Sequence, residues 1–253
     1  MKLLILGGTG EASALARALA GDSRFSPVLS LAGRTRHPAP QPLPTRQGGF
    51  GGAAGLARYL AAEGIDLLID ATHPFAVEIS RNAVEAARAT ATPMLTVLRP
   101  EWEPAPGDHW LLVSDMPAAA AALGDAARCV LLTIGRQDLA PFAAAPWHHY
   151  VVRSVDPPPP ESLPPNAEII AMRGPFLAAD ERRLLTEHAI EVLVTKNSGG
   201  SATVAKLHAA RALGLPVVMV ARPSKPASET RATVAEALAW LAARHAASLP
   251  RGA

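Results

Sequence analysis

LLILGGTGEA, residues 3–12, is the stretch that decides how the rest of the chain is read. Four apolar residues after Lys2 have the length of a short buried strand. Gly7, Gly8, Thr9 and Gly10 interrupt the pattern, and the Ala/Leu-rich run 12–20 takes up helical spacing. Strand, glycine turn and helix together open a dinucleotide-binding unit. A pyrophosphate must come close to backbone N–H groups, which glycine permits, at a helix N-terminus whose partial positive charge favours anions. In the G-x-G-x-x-G register the chain offers Gly8, Gly10 and then Ser13, so a small residue stands where the third glycine would pack helix on strand. The plainer alternative is a tight turn with no ligand. Glu11 complements the helix dipole in the first turn and is expected to point away from the phosphates.

Outward from this turn the pattern alternates. Strands are expected at 28–32, 66–70 and 94–98 and helices at 53–63 and 77–89, with 37–44 (HPAPQPLP) and 46–52 (RQGGFGG) irregular between them. After a proline-bearing connector, 99–108, strands are expected at 109–113, 129–134, 149–152, 168–172, 191–195 and 217–221, with helices at 117–123, 177–188, 202–213 and 233–246. Such alternation implies parallel sheets wrapped on both faces. The fold class is α/β, with two Rossmann-like, doubly wound parallel-sheet lobes and a cleft between them. The domains are read as 1–99 for the cofactor and 107–247 for substrate, the C-terminal helix packing back.

With 253 residues, 49% of them apolar, the chain can bury one large core or two modest ones. The single Cys129 rules out an intrachain disulfide framework and suits a reducing compartment. The apolar run at the start is too short for a signal peptide, and no run approaches a membrane span. A cytoplasmic protein without a membrane partner is expected, a monomer or small homo-oligomer. A net charge of +2 gives no case for nucleic acid. No spacing resembles a metal site or a nucleophile motif.

Ligands of open α/β sheets bind beyond the carboxyl ends of the strands. There, seven of the ten expected strands are followed by a cation: Arg34, Arg99, Arg136, Arg153, Arg173, Lys196 and Arg222. Each alone is an ordinary solvated charge; together they suggest a focused positive potential and a ligand with several negative groups. Dinucleotide folds place an acid about 20 residues past the glycine turn for a ribose 2′-hydroxyl, or an Arg for a 2′-phosphate. This chain has Gly33, Arg34 and Thr35 there, which favours NADP(H). A second strand–glycine turn–helix pattern, VTKNSGG, offers Lys196, Asn197, Ser198, Gly199 and Gly200 as a grip for a carboxylate or phosphate, with an ordinary capped turn as the alternative. His73, in ATHPF, stands where a proton donor beside a nicotinamide would be useful, although a lone loop histidine is more often structural.

The strings ILGGTGEA, SLAGRT from Ser30, GGFGG from Gly48, DATHPFA from Asp70, LTIGRQ from Leu132, VRSVDPP from Val152, RGPF from Arg173 and VTKNSGG from Val194 run in one order along the chain. Together they resemble the precorrin-6A reductase family of cobalamin biosynthesis, collinearly from Lys2 to about Trp240. GGTGEA departs slightly from the commoner GGTTEA of that family. The resemblance implies an NADPH-dependent, metal-independent reduction of one double bond of an anionic corrinoid macrocycle, on precorrin-6A or its cobalt-bearing counterpart. By resemblance and position Gly8, Thr9, Gly10, Glu11, Gly33, Arg34, Thr35, Phe50 and Thr72 fall around the cofactor, with Gly49 and Phe50 as a mobile flap. Arg136, Arg173, Lys196, Asn197, Ser198, Gly199 and Gly200 fall to substrate carboxylates, with the nicotinamide ribose as the alternative for the 196–200 loop, and His73 falls to proton transfer. The alternatives are another NADPH-linked reductase of a polycarboxylate and a non-catalytic NADP(H) sensor.

Overall fold

The computed structural model describes residues 1–33 and 39–249. In chain order the elements are β1 (Lys2–Leu6), α1 (Gly10–Leu19), β2 (Ser26–Leu31), β3 (Thr45–Gln47), α2 (Gly52–Ala62), β4 (Leu67–Asp70), α3 (Val77–Ala89) and β5 (Met94–Val97). They continue with β6 (His109–Val113), α4 (Met116–Ala121), β7 (Cys129–Thr133), β8 (His149–Ser154), β9 (Ala167–Ala171) and α5 (Ala178–Glu187). The last are β10 (Val192–Lys196), α6 (Ala205–Ala212), β11 (Pro216–Val220), β12 (Glu229–Arg231) and α7 (Val234–Ser248).

The strands form two six-stranded sheets, ordered β12-β5-β4-β1-β2-β3 and β6-β11-β10-β7-β8-β9, and every recorded pairing is parallel. Counted from β1 and from β7, both sheets have the 3-2-1-4-5-6 order of a dinucleotide-binding fold. The sixth place is filled unusually. In the first sheet it holds β12, from near the end of the chain, and in the second it holds β6, which precedes that sheet's other strands.

Accordingly the compact units are Met1–Pro100 with Pro223–Ala253, and Glu101–Arg222. A second domain running to 247 therefore extends too far: β12 pairs with β5, and α7 buries Ala237, Trp240 and Leu241 among Leu3, Ile5, Leu15 and Leu95. Two strands lie outside those expected: β3 overlaps a stretch read as irregular, and β12 lies between the strand expected at 217–221 and the helix expected at 233–246. Both β3 and β12 span only three residues, too few to show a period, and are held as strands by pairing with β2 and β5.

β1 explains why the opening stretch behaves as it does. Alternate residues point to opposite faces of a strand: Leu3 and Ile5 enter the core beneath α1 and α7, while Leu4 and Leu6 enter the core beneath α2 and α3. All four are at most 2% exposed, so the strand is apolar from Leu3 to Leu6. Each such leucine contributes about 1.5–3 kcal/mol of burial. In the second unit Leu131, Leu193, Val217 and Met219 build the corresponding layer against α5 and α6.

Candidate active site

In the first unit the strand order reverses between β1 and β4, and the loops leaving these strands stand at the position where such sheets bind ligands. Gly7 is required by packing: a Cβ there would stand 2.7 Å from Leu29 Cδ1. Gly8 is required by conformation, with φ +111°, and a Cβ on Gly8 or Gly10 would meet nothing within 4 Å among the described residues. The backbone of the turn is thus open to a close-lying group, as a pyrophosphate requires. Thr9 is the N-cap of α1. Its Oγ1 accepts from the Ala12 N–H at 3.1 Å and donates to the Ala71 carbonyl at 2.7 Å, joining the two loops. The Glu11 carboxylate is paired with Arg99 Nη1 at 2.6 Å, so its charge is compensated beside the turn.

Gly33 closes the exit of β2, with φ +74°; Arg34 and Thr35 lie outside the described residues. Phe50 is fastened. The Arg46 guanidinium lies 3.8 Å over its ring, and Tyr59 meets it edge-on at 5.2 Å. The flap expected from the flanking glycines is thereby anchored through its one aromatic side chain.

At the end of β4 the Thr72 hydroxyl donates to Asp70 Oδ1 at 2.6 Å and accepts from Lys225 Nζ at 3.1 Å. Asp70, fully buried, also accepts from the Thr72 N–H, Ser80 Oγ and Lys225 Nζ. Four donors on one carboxylate hold the loop that carries His73. The histidine Nδ1 accepts from the Phe75 N–H at 3.3 Å, which places the proton of a neutral ring on Nε2.

The second unit reverses its strand order between β7 and β10. Lys196 ends β10, and its Nζ meets Asp138 Oδ2 at 2.6 Å across the turn that begins at Arg136. The Asn197 amide clamps the connector instead of facing outward. Its Oδ1 accepts from the Trp102 N–H, and its Nδ2 donates to the Trp102 carbonyl and Glu101 Oε2. Ser198 is buried and donates its N–H to the Lys196 carbonyl. Trp102 Nε1 donates to the Gly200 carbonyl at 2.9 Å. Helix α6 begins only at Ala205, so the amides of Gly199 and Gly200 belong to the loop and lie outside its first turn. Arg136 is half-buried and Arg173 exposed.

The expected ring of strand-end cations is largely neutralised. Arg99, Arg153, Lys196 and Arg222 each meet a carboxylate. Arg153 turns inward altogether, its side chain 5% exposed, with Nη1 2.5 Å from Glu181 Oε1 and its guanidinium 4.1 Å from the Phe176 centroid. Ending a strand did not place it at the sheet's edge, because an acid on α5 and an aromatic ring offered it a better-satisfied interior position.

The family model described as precorrin-6x reductase CbiJ/CobK matches residues 2–242. The chain belongs to the precorrin-6x reductase family. This reductase is 54% identical over 226 residues to the precorrin-6A reductase of a Sinorhizobium species, covering 89% of this chain and 86% of that one. It is 49% identical over 251 residues to the precorrin-6A reductase of Rhodobacter capsulatus, with 99% of each chain covered. A solved structure titled CobK precorrin-6A reductase superposes with a TM-score of 0.92 at 49% identity, covering 100% and 99% of the two chains.

The precorrin-6x reductase is thus an oxidoreductase with a Rossmann-like fold, a combination that points to a nicotinamide cofactor. The open turn at Gly8 to Gly10, capped by Thr9 and relieved of the Glu11 charge, fits one. The residue types that reading the sequence missed here are Asp70, Ser80 and Lys225. Asp70 lay within a quoted string, but nothing local marks Lys225, which arrives from 155 residues further along the chain. No helix among the described residues is long and apolar enough to cross a membrane.

Proposed function

We propose that this reductase converts precorrin-6A to its 6B form by an NADPH-dependent reduction of one macrocycle double bond. The observation that carries this reading is the relationship of both units, over nearly their whole length, to enzymes named precorrin-6A reductase. When bound, NADPH supplies the hydride. The backbone of Gly8, Thr9 and Gly10 holds the pyrophosphate, Arg34 and Thr35 take the 2′-phosphate, and Gly33, Phe50 and Thr72 shape the surrounding loops. Glu11 serves by keeping Arg99 in place.

His73 gives the carbon next to the one reduced its proton, the Phe75 N–H having fixed the donor on Nε2. Arg136, Arg173, Lys196, Ser198, Gly199 and Gly200 receive the acetate and propionate arms of the substrate, and Asn197 holds their loop to the connector. The enzyme works in the cytoplasm as a monomer or small homo-oligomer.

The test is an anaerobic assay of the purified protein with NADPH and precorrin-6A, and in parallel with the cobalt-bearing macrocycle. Expected are oxidation of the nicotinamide and a product heavier by two hydrogens. Absence of NADPH oxidation with both macrocycles overturns the proposal, and turnover of the cobalt form alone moves the substrate to that form.

A further inference from the structure

We propose that Arg46 is a specificity-determining residue that receives the 2′-phosphate of the dinucleotide. The inference rests on the NADPH reading above and adds a residue to it. Arg46 lies in β3, in register with Ser30 near the carboxyl end of β2, the part of a dinucleotide-binding sheet that faces the adenosine ribose. Its guanidinium is held in one place. Nη1 donates to Ser30 Oγ at 2.8 Å and to the Gly48 carbonyl at 3.0 Å, Nη2 donates to the Gly49 carbonyl at 3.2 Å, and the plane lies against Phe50.

Every one of these partners is neutral. Elsewhere at the same sheet edge the cations are cancelled, Arg99 by Glu11 and Lys225 by Asp70. Among the described residues no carboxylate pairs with Arg46, so a half-buried, immobilised guanidinium keeps its full charge. Of its five N–H groups, Nε–H and one on Nη2 have no partner among the described residues and remain for a ligand. A pre-positioned guanidinium with adjacent donors is suited to a phosphate. The ordering entropy that usually weakens such contacts has already been lost in the fold.

The experiment is titration calorimetry on the full chain with adenosine 2′,5′-bisphosphate against adenosine 5′-monophosphate, and with NADPH against NADH, for the wild type, Arg46→Gln and Arg46→Lys. Arg46→Gln is expected to weaken the two 2′-phosphorylated ligands by about 10- to 100-fold while leaving the other two within about twofold. Arg46→Lys, which keeps the charge and loses the fork, is expected to retain part of the preference even if the Gln variant does not fold. Equal losses for all four ligands in Arg46→Lys, or an unchanged preference in Arg46→Gln, overturn the inference: the first makes Arg46 a brace for residues 48–50, and the second removes it from the subsite. A wild-type protein that prefers NADH defeats the NADPH reading itself, an outcome visible before either variant is measured.

Discussion

At the scale of single residues the proposed proton donor is distinct from the groups that hold its loop. His73 sits on a loop fastened by Asp70, Thr72, Ser80 and Lys225, and only its Nε2 can donate when the ring is neutral. His73→Asn is expected to lower kcat by about 10²-fold or more with the KM for NADPH unchanged; an unaltered pH–rate profile would make the histidine structural. Lys206 is a buried charge of a different kind. It lies in the interior near Arg153 and Glu181, and its ammonium is 5.5 Å from the Trp102 ring centroid. Burial, helped by Arg153 and opposed by Glu181, pushes its pKa down to about 7 from 10.5. The unfolded chain binds this proton more tightly than the folded one, so stability rises with pH between about 7 and 10.5 and the full desolvation cost remains below 7. Lys206→Met is expected to stabilise the protein, most below pH 7 and hardly at all above 10.5, as read from denaturant midpoints across that range.

At the scale of elements, the glycine turn divides its work between neighbours. Gly7 lets β1 leave the sheet against Leu29, Gly8 makes the turn, and Gly10 leaves space above the start of α1. Gly7→Ala must displace Leu29, itself 1% exposed, and is expected to cost about 1–3 kcal/mol as overpacking. Gly10→Ala, facing open space, is expected to leave thermal stability unchanged and to weaken NADPH if a pyrophosphate rests there. A Gly7→Ala protein with a wild-type melting temperature would show that β1 and β2 have room that the 2.7 Å approach denies. The loop after β10 follows a different logic from its sequence twin. Its helix starts late, at Ala205, and its asparagine ties the loop to the connector.

At the scale of the molecule, each sheet takes its sixth strand out of sequence order, the first from a distant segment and the second from just before its other strands, and the consequences for the units differ. Glu101–Arg222 is continuous and contains all six strands of its sheet. Met1–Pro100 lacks β12, α7 and Lys225 unless the last segment returns. A fragment of residues 101–222 is therefore expected to melt cooperatively in circular dichroism. A fragment of residues 1–100 is not, since its core would expose the faces covered by Trp240 and Leu241 and leave Asp70 buried without its cation, a loss of about 3–5 kcal/mol for the unpaired charge alone. Cooperative melting of 1–100 by itself would refute this dependence.

The alternation of apolar runs, the two glycine turns and the family strings were legible in the sequence because each is set by contacts within a few residues: pleat, helical period and positive φ all act locally. Three-residue strands carry no period, so β3 and β12 became visible only through their partners. The same distinction governs charge. Reading along the chain placed seven cations at strand ends, but whether such a charge meets a ligand or an acid depends on which distant side chain arrives beside it. Tertiary structure gave Arg153 to Glu181, Lys196 to Asp138 and Lys225 to Asp70, and left Arg46, among neutral partners, with its charge intact.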